Sequence, residues 1–404
     1  MSTGGSARRQ ILLGALLPAF IFSIGVGAMI PVLAPFAVQR GATLAVAGII
    51  AAMLPVGQIL ADLPAGALAA RVGDRRAMLL ASGAAALGFL AAGLAPSLIT
   101  LGIAILLVGA ANAVFQLARH SYLTQVTPVH QRARVLSTLG GVHRIGQFIG
   151  PFFGAGVIAV GDLRAVFLLA LLTALAAGVT VVLAPEMEPR PLRAEGHARK
   201  GFGAVITAHR ELLLTLGMAS MLVGAVRGAR QQVIPLWGEH IGLDPTAISL
   251  IYGLAGGIDM LLFYPAGKIM DQFGRLWIGI PSMVGLGLAM VLVPLSDSAT
   301  GLALVAVLLG ISNGLGSGVM MTIASDIAPP EDRPQFLGAW RLLQDLGIAA
   351  GPLTLAAGAA LGTLAGGVWV AAAMGPLASA GLLRWLPRYS VHASRRTRRR
   401  AGLD

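Results

Sequence analysis

Charged side chains interrupt long apolar segments of this sequence at several places. A carboxylic acid in such surroundings can bind and release a proton near neutral pH, and an arginine can bind a carboxylate or phosphate through two parallel hydrogen bonds. Because an ionised group inside an apolar span costs several kcal/mol, these side chains are the first candidates for function. They are the basic residues Arg119, Arg144, Arg227, Arg230 and Arg341 and the acids Asp62, Asp259 and Asp345.

Some of these charges lie near the middle of their segments, at positions related by one offset. Arg144 and Asp345 are 201 residues apart, and Gln58 and Asp259 have the same separation. We interpret Asp259 or Asp345 as the acid that carries a proton. Arg144 and Arg341 are the arginines that would couple its charge to conformation. The alternative is that Arg144 and Asp259 form a permanent structural ion pair that never titrates.

The composition indicates the class of protein. Of 404 residues, 56% are apolar and only 11% are charged, whereas a soluble domain carries about 25% charged residues. This excludes a soluble enzyme, a disordered chain and a nucleic-acid-binding domain, although the formal net charge is +12. The absence of cysteine excludes disulfides and thiolate metal sites. We predict an all-α polytopic membrane protein.

Apolar segments recur along the whole chain, and each is close to the ~20 residues that cross a bilayer. No period-2 pattern of a strand occurs, and backbone in lipid must satisfy its own hydrogen bonds, so these spans are helices. Twelve spans are predicted, forming two pseudo-symmetric six-helix bundles. They cover residues 10–37, 44–67, 77–95, 98–122, 135–160, 164–184, 210–237, 245–267, 277–295, 299–325, 335–361 and 366–386.

Lysine and arginine concentrate in alternate loops. With the N-terminus inside the cell, most of the 29 basic residues fall in cytoplasmic segments, and only Arg40 and Arg164 fall in the outer loops. Loops rich in basic residues stay in the cytoplasm. This predicts a multi-pass protein of a bacterial-type inner membrane with both termini cytoplasmic.

One long polar segment separates the first six spans from the last six. The predicted parts are an N-terminal half, a cytoplasmic linker, a C-terminal half and a basic cytoplasmic tail, at residues 1–184, 185–209, 210–387 and 388–404. We interpret the tail as a solvated segment that helps to set topology. Attraction of its arginines to anionic membrane lipid is the alternative.

The two halves repeat one another with an offset of 201 residues. In a glycine-rich chain, matching glycines are weak evidence for a repeat. The matching proline, asparagine and arginine residues are the stronger evidence. The pairs include Gly73 with Gly274, Asn112 with Asn313, Pro128 with Pro329, Arg132 with Arg333 and Pro151 with Pro352. Parallel repeats of this kind are typical of transporters that alternate between two conformations.

The loop between spans 2 and 3 reads GALAARVGDRR at residues 66–76. It resembles the G-x-x-x-D-R-x-G-R-R loop of the major facilitator superfamily, and with twelve spans in two similar halves the resemblance covers essentially the whole chain. Ala70 stands where that motif has its aspartate. The equivalent loop of the second half, GKIMDQFGR at residues 267–275, keeps an aspartate at Asp271.

The resemblance implies a conformational gate at these two loops, where the motif aspartate helps to latch the outward-open state. Glycines permit the tight turn, and arginines hold the loop at the cytoplasmic surface. Since Ala70 lacks a carboxylate, Asp62 is a candidate substitute, and a local helix cap or a pairing with Arg134 is the alternative. The implied gate residues are Asp62, Gly66, Gly73, Arg75, Asp271, Gly274 and Arg275.

Span 5 contains GQFIGPFFG at residues 146–154, which resembles the G-x-x-x-G-P-x-x-G motif of exporters in the superfamily. Small residues let helices approach closely, and a proline kinks its helix. The motif favours export, and a kinked interface helix in a transporter of either direction is the alternative. Its residues are Gly146, Gly150, Pro151 and Gly154.

The resemblance also implies that spans 1, 4, 7 and 10 line the substrate cavity. Span 1 carries no acid, spans 4 and 7 carry arginines, and span 10 carries a glycine row, Gly310, Gly314 and Gly318, on one helix face. A basic lining predicts an anionic or amphipathic organic substrate. For Arg119 the alternative is a side chain that reaches water at the end of its span. The predicted substrate-binding residues are Asn112, Gln116, Arg119, Arg227, Arg230 and Asn313.

Motifs for other chemistry are missing from the sequence. There is no H-E-x-x-H, phosphate loop or EF-hand pattern, and we expect no metal, no cofactor and no enzymatic activity. The prediction is a monomeric secondary transporter that exports a small organic molecule in exchange for protons, without nucleic acid as a partner. The alternatives are an importer or uniporter of an organic anion, and a cationic multidrug exporter in which Asp259 reaches the cavity.

Overall fold

The computed structural model of the chain describes residues 9–127, 131–185 and 202–402, and every regular element in those ranges is a helix. The predicted all-α polytopic membrane fold is confirmed. Most of the linker predicted at 185–209, and the repeat residue Pro128, lie outside the described residues. The described end of the linker contains a short helix, Phe202–Ala208.

Long helices follow one another through both halves of the described chain. In the first half they are α1 (Arg9–Gln39), α2 (Leu44–Val72), α3 (Asp74–Gly93), α4 (Leu98–Val126), α5 (Arg132–Val160) and α6 (Arg164–Leu183). In the second half they are α7 (Arg210–His240), α8 (Pro245–Phe273), α9 (Leu276–Leu295), α10a (Ala299–Leu315), α10b (Val319–Ile327), α11 (Arg333–Ala360) and α12 (Leu364–Tyr389). A tail helix, Arg395–Arg400, comes last.

Among the described residues, eleven helical segments are long and apolar enough to cross a membrane. Helix α5 is not one of them, although its 29 residues match predicted span 5. It carries His143 and Arg144 side by side, and Arg132 and Arg134 at its start. These polar residues lower the mean hydropathy of α5. Charged residues within a membrane span are tolerated where the rest of the protein surrounds them.

Serine side chains begin α4 and α10a at equivalent positions of the two halves. The Ser97 hydroxyl accepts a hydrogen bond from the backbone N–H of Thr100. Ser298, 201 residues later, accepts one from the N–H of Gly301. Such an N-cap satisfies a free N–H of the first turn and stabilises a helix by about 1 kcal/mol. The sequence repeat therefore extends to the caps that start these helices.

The chain forms two compact units, Met1–Ala194 with Gly242–Gly253 and Glu195–Ile241 with Leu254–Asp404. In the first unit, α1 packs against α5 and α6, and α3 packs against α4. In the second unit, α7 packs against α11 and α12, and α9 packs against α10a. Helices at equivalent positions of the repeat therefore have equivalent neighbours.

The predicted span at 299–325 matches the membrane-spanning segment Ala299–Ile327, and its helix is interrupted between α10a and α10b. Gly318 adopts a left-handed backbone with φ of 82°, which a residue with a side chain rarely adopts. The prediction that Gly310, Gly314 and Gly318 share one helix face is therefore wrong for Gly318. Gly310 and Gly314 remain on α10a, and both lie against the backbone of α8.

Glycines of α5 lie directly against α1. A Cβ atom added at Gly150 would lie 2.5 Å from the carbonyl oxygen of Ile24 and 2.6 Å from the nitrogen of Ala28. At Gly146 it would lie 2.6 Å from the carbonyl oxygen of Phe20. The nearest atoms of α1 belong to its backbone, so no flexible side chain could move aside for an added methyl group. The two helices thus approach as closely as they do because these positions lack side chains.

We expect Gly150→Ala to lower the stability of the protein by about 1–3 kcal/mol, because the added methyl group overpacks this contact. Gly156→Ala on the same helix is the matched control, since nothing lies within 4 Å of its added Cβ. There the better helix propensity of alanine should raise stability by up to about 1 kcal/mol. Apparent melting temperatures of the purified variants in detergent test the difference, and equal shifts would contradict this packing.

Candidate functional site

Asp259 forms a polar centre in the second half of the chain with two residues predicted to bind substrate. Asn313 Nδ2 donates a 2.7 Å hydrogen bond to Asp259 Oδ2. Arg230 Nη1 lies 3.8 Å from the same oxygen, and the two side chains are 12% and 15% exposed. Asp259 Oδ1 has no hydrogen-bond partner among the described residues. One predicted proton-coupling acid thus shares a centre with two predicted substrate-binding residues.

Another arginine of α7, Arg227, contacts the break between α10a and α10b. Arg227 donates a hydrogen bond to the carbonyl oxygen of Gly316, which lies just after the end of α10a and also accepts a 3.3 Å hydrogen bond from the N–H of Val319. Ser282 Oγ donates a 2.7 Å hydrogen bond to the carbonyl oxygen of Ser312 one turn earlier. Arg227 and Arg230 therefore have different roles, since one holds backbone and the other faces a carboxylate.

A buried basic centre occupies α4 in the first half. Arg119 is 2% exposed, so the alternative of a side chain that reaches water at the end of its span does not hold. Its guanidinium lies 5.9 Å from the centre of the Phe115 ring. Within the described ranges, Arg119 Nε has no hydrogen-bond partner. A buried guanidinium nitrogen without a hydrogen-bond partner is costly and needs an explanation.

Tyr122 adds a second donor to this centre, which we call the Arg119–Tyr122 centre. Tyr122 is 2% exposed, and its hydroxyl has no hydrogen-bond partner among the described residues. It lies three residues after Arg119, so both side chains are on one face of α4. Tyr122 could not be identified from the sequence, because a tyrosine in an apolar span is most often part of the packing.

The other predicted residues of α4 and its neighbour α5 form local hydrogen bonds. Gln116 Nε2 donates a 3.2 Å hydrogen bond to Asn112 Oδ1. His143 Nδ1 and Ser23 Oγ are 2.5 Å apart, which joins α5 to α1. No role was predicted for His143. Its position beside Arg144 in an apolar span is the signal that points to it.

The second predicted acid lies in a more open place. Arg341 Nε lies 3.3 Å from Asp345 Oδ2 one helical turn along α11, and the arginine side chain is 56% exposed while the acid is 19% exposed. An exposed i,i+4 pair contributes about 0.3–0.5 kcal/mol. Arg144 lies half-buried on α5.

Arg275 makes the main side-chain contacts of the predicted gate loop in the second half. Its Nε donates a 2.9 Å hydrogen bond to Asp326 Oδ2 on α10b, and its Nη1 lies 3.5 Å from Asp271 Oδ1. The predicted gate pair, Arg275 and Asp271, is thus extended by Asp326. No motif names Asp326, which stands 51 positions further along the chain.

The first half has a related polar pair at the equivalent positions. Gln125 Nε2 donates a 2.7 Å hydrogen bond to Asp74 Oδ2. Adding 201 to these numbers gives Asp326 and Arg275, the pair just described. Both halves therefore join the start of the third helix of the repeat to the end of the fourth. The charges differ between the halves. The carboxylate is on the third helix of the repeat in the first half (Asp74) and on the fourth in the second half (Asp326).

Further predicted gate residues of the first half have separate local roles. Gly73 and its equivalent Gly274 have positive φ values of 85° and 99°, as a tight turn requires. Arg75 donates to the carbonyl oxygens of Val181 and Val182 at the end of α6. Nothing lies within 4 Å of a Cβ added at Gly66, so packing does not require that glycine, and Asp62 lies half-buried on α2.

The remaining predicted motif residues lie on α5, which continues as one helix through Pro151. Gly154 lies near α1 as Gly150 does, with 3.3 Å between an added Cβ and the carbonyl oxygen of Ala28. No group of three or more histidine, aspartate or glutamate side chains in the described part of the chain is arranged to hold a metal ion.

We expect Asp326→Asn to lower stability by about 1.5–3 kcal/mol, because it removes the charge from the short hydrogen bond that Arg275 makes. Asp271→Asn is the matched control, since that side chain is 75% exposed at 3.5 Å from Arg275. Its effect should be about 0.3–0.5 kcal/mol. Thermal unfolding of both variants tests this ranking, which a larger effect of Asp271→Asn would reverse.

Comparison with known proteins connects this geometry with one family. The sequence profile of the Major Facilitator Superfamily matches residues 15–352 and 216–402. The uncharacterized MFS-type transporter YdeG of Bacillus subtilis (strain 168) is 28% identical over 337 residues, which are 78% of this chain and 76% of YdeG. Another B. subtilis protein, the uncharacterized MFS-type transporter YhjO, is 25% identical over 76% of this chain and 75% of its own length.

Solved structures show the same fold. The crystal structure of a POT family transporter in complex with a thioalcohol-conjugated peptide superposes with a TM-score of 0.77. The superposition covers 93% of this chain and 96% of that chain, at 15% sequence identity. At that identity the likeness extends to the fold and not to the ligand.

Proposed function

Because the chain belongs to the Major Facilitator Superfamily, we propose that it exports a small organic anion in exchange for protons. It is a multi-pass membrane transporter and not an enzyme, as its relatives are transporters. Secondary transporters with parallel repeats work by alternating access. The substrate class, the proton coupling and the direction are the proposed parts of this function.

The main support for an anionic substrate is the Arg119–Tyr122 centre. Two buried donors, Arg119 Nε and Tyr122 Oη, have no hydrogen-bond partner among the described residues. A carboxylate or phosphate can accept from both, and it would neutralise the guanidinium at the same time. A cation in the same place would put a like charge beside the Arg119 guanidinium. This basic centre therefore favours an anion.

The proton coupling is supported by the contacts of Asp259. When ionised, its carboxylate is stabilised by the Arg230 guanidinium and the Asn313 amide. When it binds a proton, the attraction to Arg230 is lost and Arg230 becomes an uncompensated cation inside the second half. One proton thus changes the charge of this centre from neutral to positive. Asp345 stays the second proposed carrier, with Arg341 beside it.

The direction of transport rests on the Gly146 to Gly154 motif, which favours export. The contact between Arg230 and Asp259 favours a second candidate. Because protonation of Asp259 frees a positive charge, a proton and an anion would bind together, and such a transporter would import an anion with a proton. The proposed setting is a monomer in a bacterial-type inner membrane, with both termini in the cytoplasm.

A ligand screen on the purified protein tests the substrate class. Anionic, zwitterionic and cationic compounds are added at pH 6 and pH 8, and binding to the folded state raises stability by about 2.7 kcal/mol at a hundredfold excess over Kd. We expect anions to be the stabilising class. Stabilisation by cations alone would overturn the anion proposal and make multidrug export through Asp259 the leading function.

The Arg119–Tyr122 centre predicts which variants lose the anion. Tyr122→Phe should weaken binding by about 1.5–3 kcal/mol, the range for a hydrogen bond to a charged group. It should not destabilise the unliganded protein, because the hydroxyl it removes has no partner. Tyr264→Phe is the matched control at a residue that is 69% exposed. Unchanged affinity in Tyr122→Phe and in Arg119→Gln would place the anion elsewhere.

Asp259→Asn tests the proton coupling in liposomes, with a stabilising anion from the screen as the transported compound. The variant keeps a side chain of the same shape, and we expect it to exchange labelled for unlabelled compound while losing all response to a pH gradient. Asp297→Asn, in an exposed loop, is the control. If Asp259→Asn and Asp345→Asn both keep full pH-gradient-driven flux, the proton role is wrong.

A further inference from the structure

The tail helix, Arg395–Arg400, lies against the end of α8. Arg398 donates hydrogen bonds to the carbonyl oxygens of Asp271 and Gln272, at 2.7 and 2.9 Å. Arg395 lies 4.2 Å from the centre of the Phe273 ring. The last carbonyls of a helix carry partial negative charge and lack helical partners, so these arginines cap α8. The interpretation of the tail as a solvated segment is therefore wrong in this part.

Backbone contacts fix the same segment just before the tail helix. The N–H of Arg275 donates a 3.2 Å hydrogen bond to the carbonyl oxygen of His392. The tail helix starts with a capping box, in which the side chains of Ser394 and Thr397 bond to each other's backbone N–H. These contacts give the tail helix a defined orientation on α8, with one face toward the protein.

The opposite face of the tail helix presents three further arginines. Arg396, Arg399 and Arg400 are exposed, and their i, i+3 and i+4 spacing puts them on one face. Together with Arg395 they line an open cavity of about 490 Å³ that has no acidic residue in its lining. Four like charges around one cavity repel each other, and a bound anion would remove that repulsion.

The cavity follows directly after the end of the last membrane span. Near the end of α12, the guanidinium groups of Arg384 and Arg388 lie 5.5 and 4.6 Å from the centre of the Trp385 ring. Tryptophan is enriched where the hydrocarbon meets the headgroups, and arginine beside it reaches the phosphates. This puts the beginning of the tail at headgroup depth.

We propose that the cavity lined by Arg395, Arg396, Arg399 and Arg400 is a binding site for phosphate groups, as carried by anionic lipid headgroups. Planar guanidinium groups match phosphate oxygens through paired hydrogen bonds. The inference does not depend on the transported substrate, because the site lies on the tail. A soluble polyphosphate has the same chemistry, and the experiment separates the two sources.

Full-length protein in a neutral detergent is titrated at low salt with dioctanoyl phosphatidic acid, dioctanoyl phosphatidylcholine and inorganic pyrophosphate. Each arginine beside an anionic headgroup contributes about a fivefold factor in affinity. The triple variant R396Q/R399Q/R400Q should therefore bind phosphatidic acid about a hundredfold more weakly. Arg399→Gln alone should bind it about fivefold more weakly. Arg395 and Arg398 stay in place, so the tail helix keeps its contacts with α8.

The matched control, R9Q/R134Q/R210Q, removes three exposed arginines at the starts of other helices and should bind phosphatidic acid as the unmodified protein does. If pyrophosphate binding falls in parallel with phosphatidic acid binding, the site accepts soluble phosphates. If only the lipid is affected, the site is a headgroup site. Undiminished binding in the triple variant, an equal loss in the control, or equal binding of phosphatidylcholine would overturn the proposal.

Discussion

A charge inside a membrane-spanning helix must find its partner within the protein, because lipid offers none. This constraint governs the interior of both halves of the chain. Asp259 has Arg230 and Asn313 as partners. Arg227 has a backbone carbonyl between α10a and α10b as its partner. Arg119 lies near the Phe115 ring, but its Nε has no hydrogen-bond partner among the described residues. The proposed substrate follows from this free donor and from the neighbouring Tyr122 hydroxyl, which also has no hydrogen-bond partner among the described residues.

Close helix approach is what brings the partners of Asp259 within reach. Gly314 lies so near α8 that an added Cβ would be 2.8 Å from the carbonyl oxygen of Asp259. Asn313 is the preceding residue of α10a, and it donates to the Asp259 carboxylate. A larger residue at Gly314 would separate the two helices and lengthen this hydrogen bond. The small residues of these helices are thus part of the site as well as part of the packing.

The repeat with an offset of 201 residues made most of the fold predictable. It relates the helices, the cap at Ser97 to the cap at Ser298, and the turn at Gly73 to the turn at Gly274. Local sequence was sufficient here because turns and caps depend on a few neighbouring residues. The ionisable residues inside spans were equally visible, since each stands out against apolar neighbours.

Contacts between distant segments could not be predicted from the same patterns. Asp326 joins Arg275 through the fold, and no local motif marks an acid at the end of a helix as its partner. The interruption at Gly318 depends on one backbone conformation in a glycine-rich helix, where the sequence offers several equivalent glycines. The tail binds α8 through carbonyl groups, which every residue has, so its arginines looked solvated.

The most direct test of the account is the number of protons exchanged when an anion binds. Titration calorimetry of a stabilising anion in two buffers of different ionisation enthalpy measures this number for the unmodified protein and for Asp259→Asn. The exporter predicts that binding releases protons from the unmodified protein and that Asp259→Asn releases none. Proton uptake would contradict export and support import with a proton, and no proton exchange in the unmodified protein would contradict the coupling through Asp259.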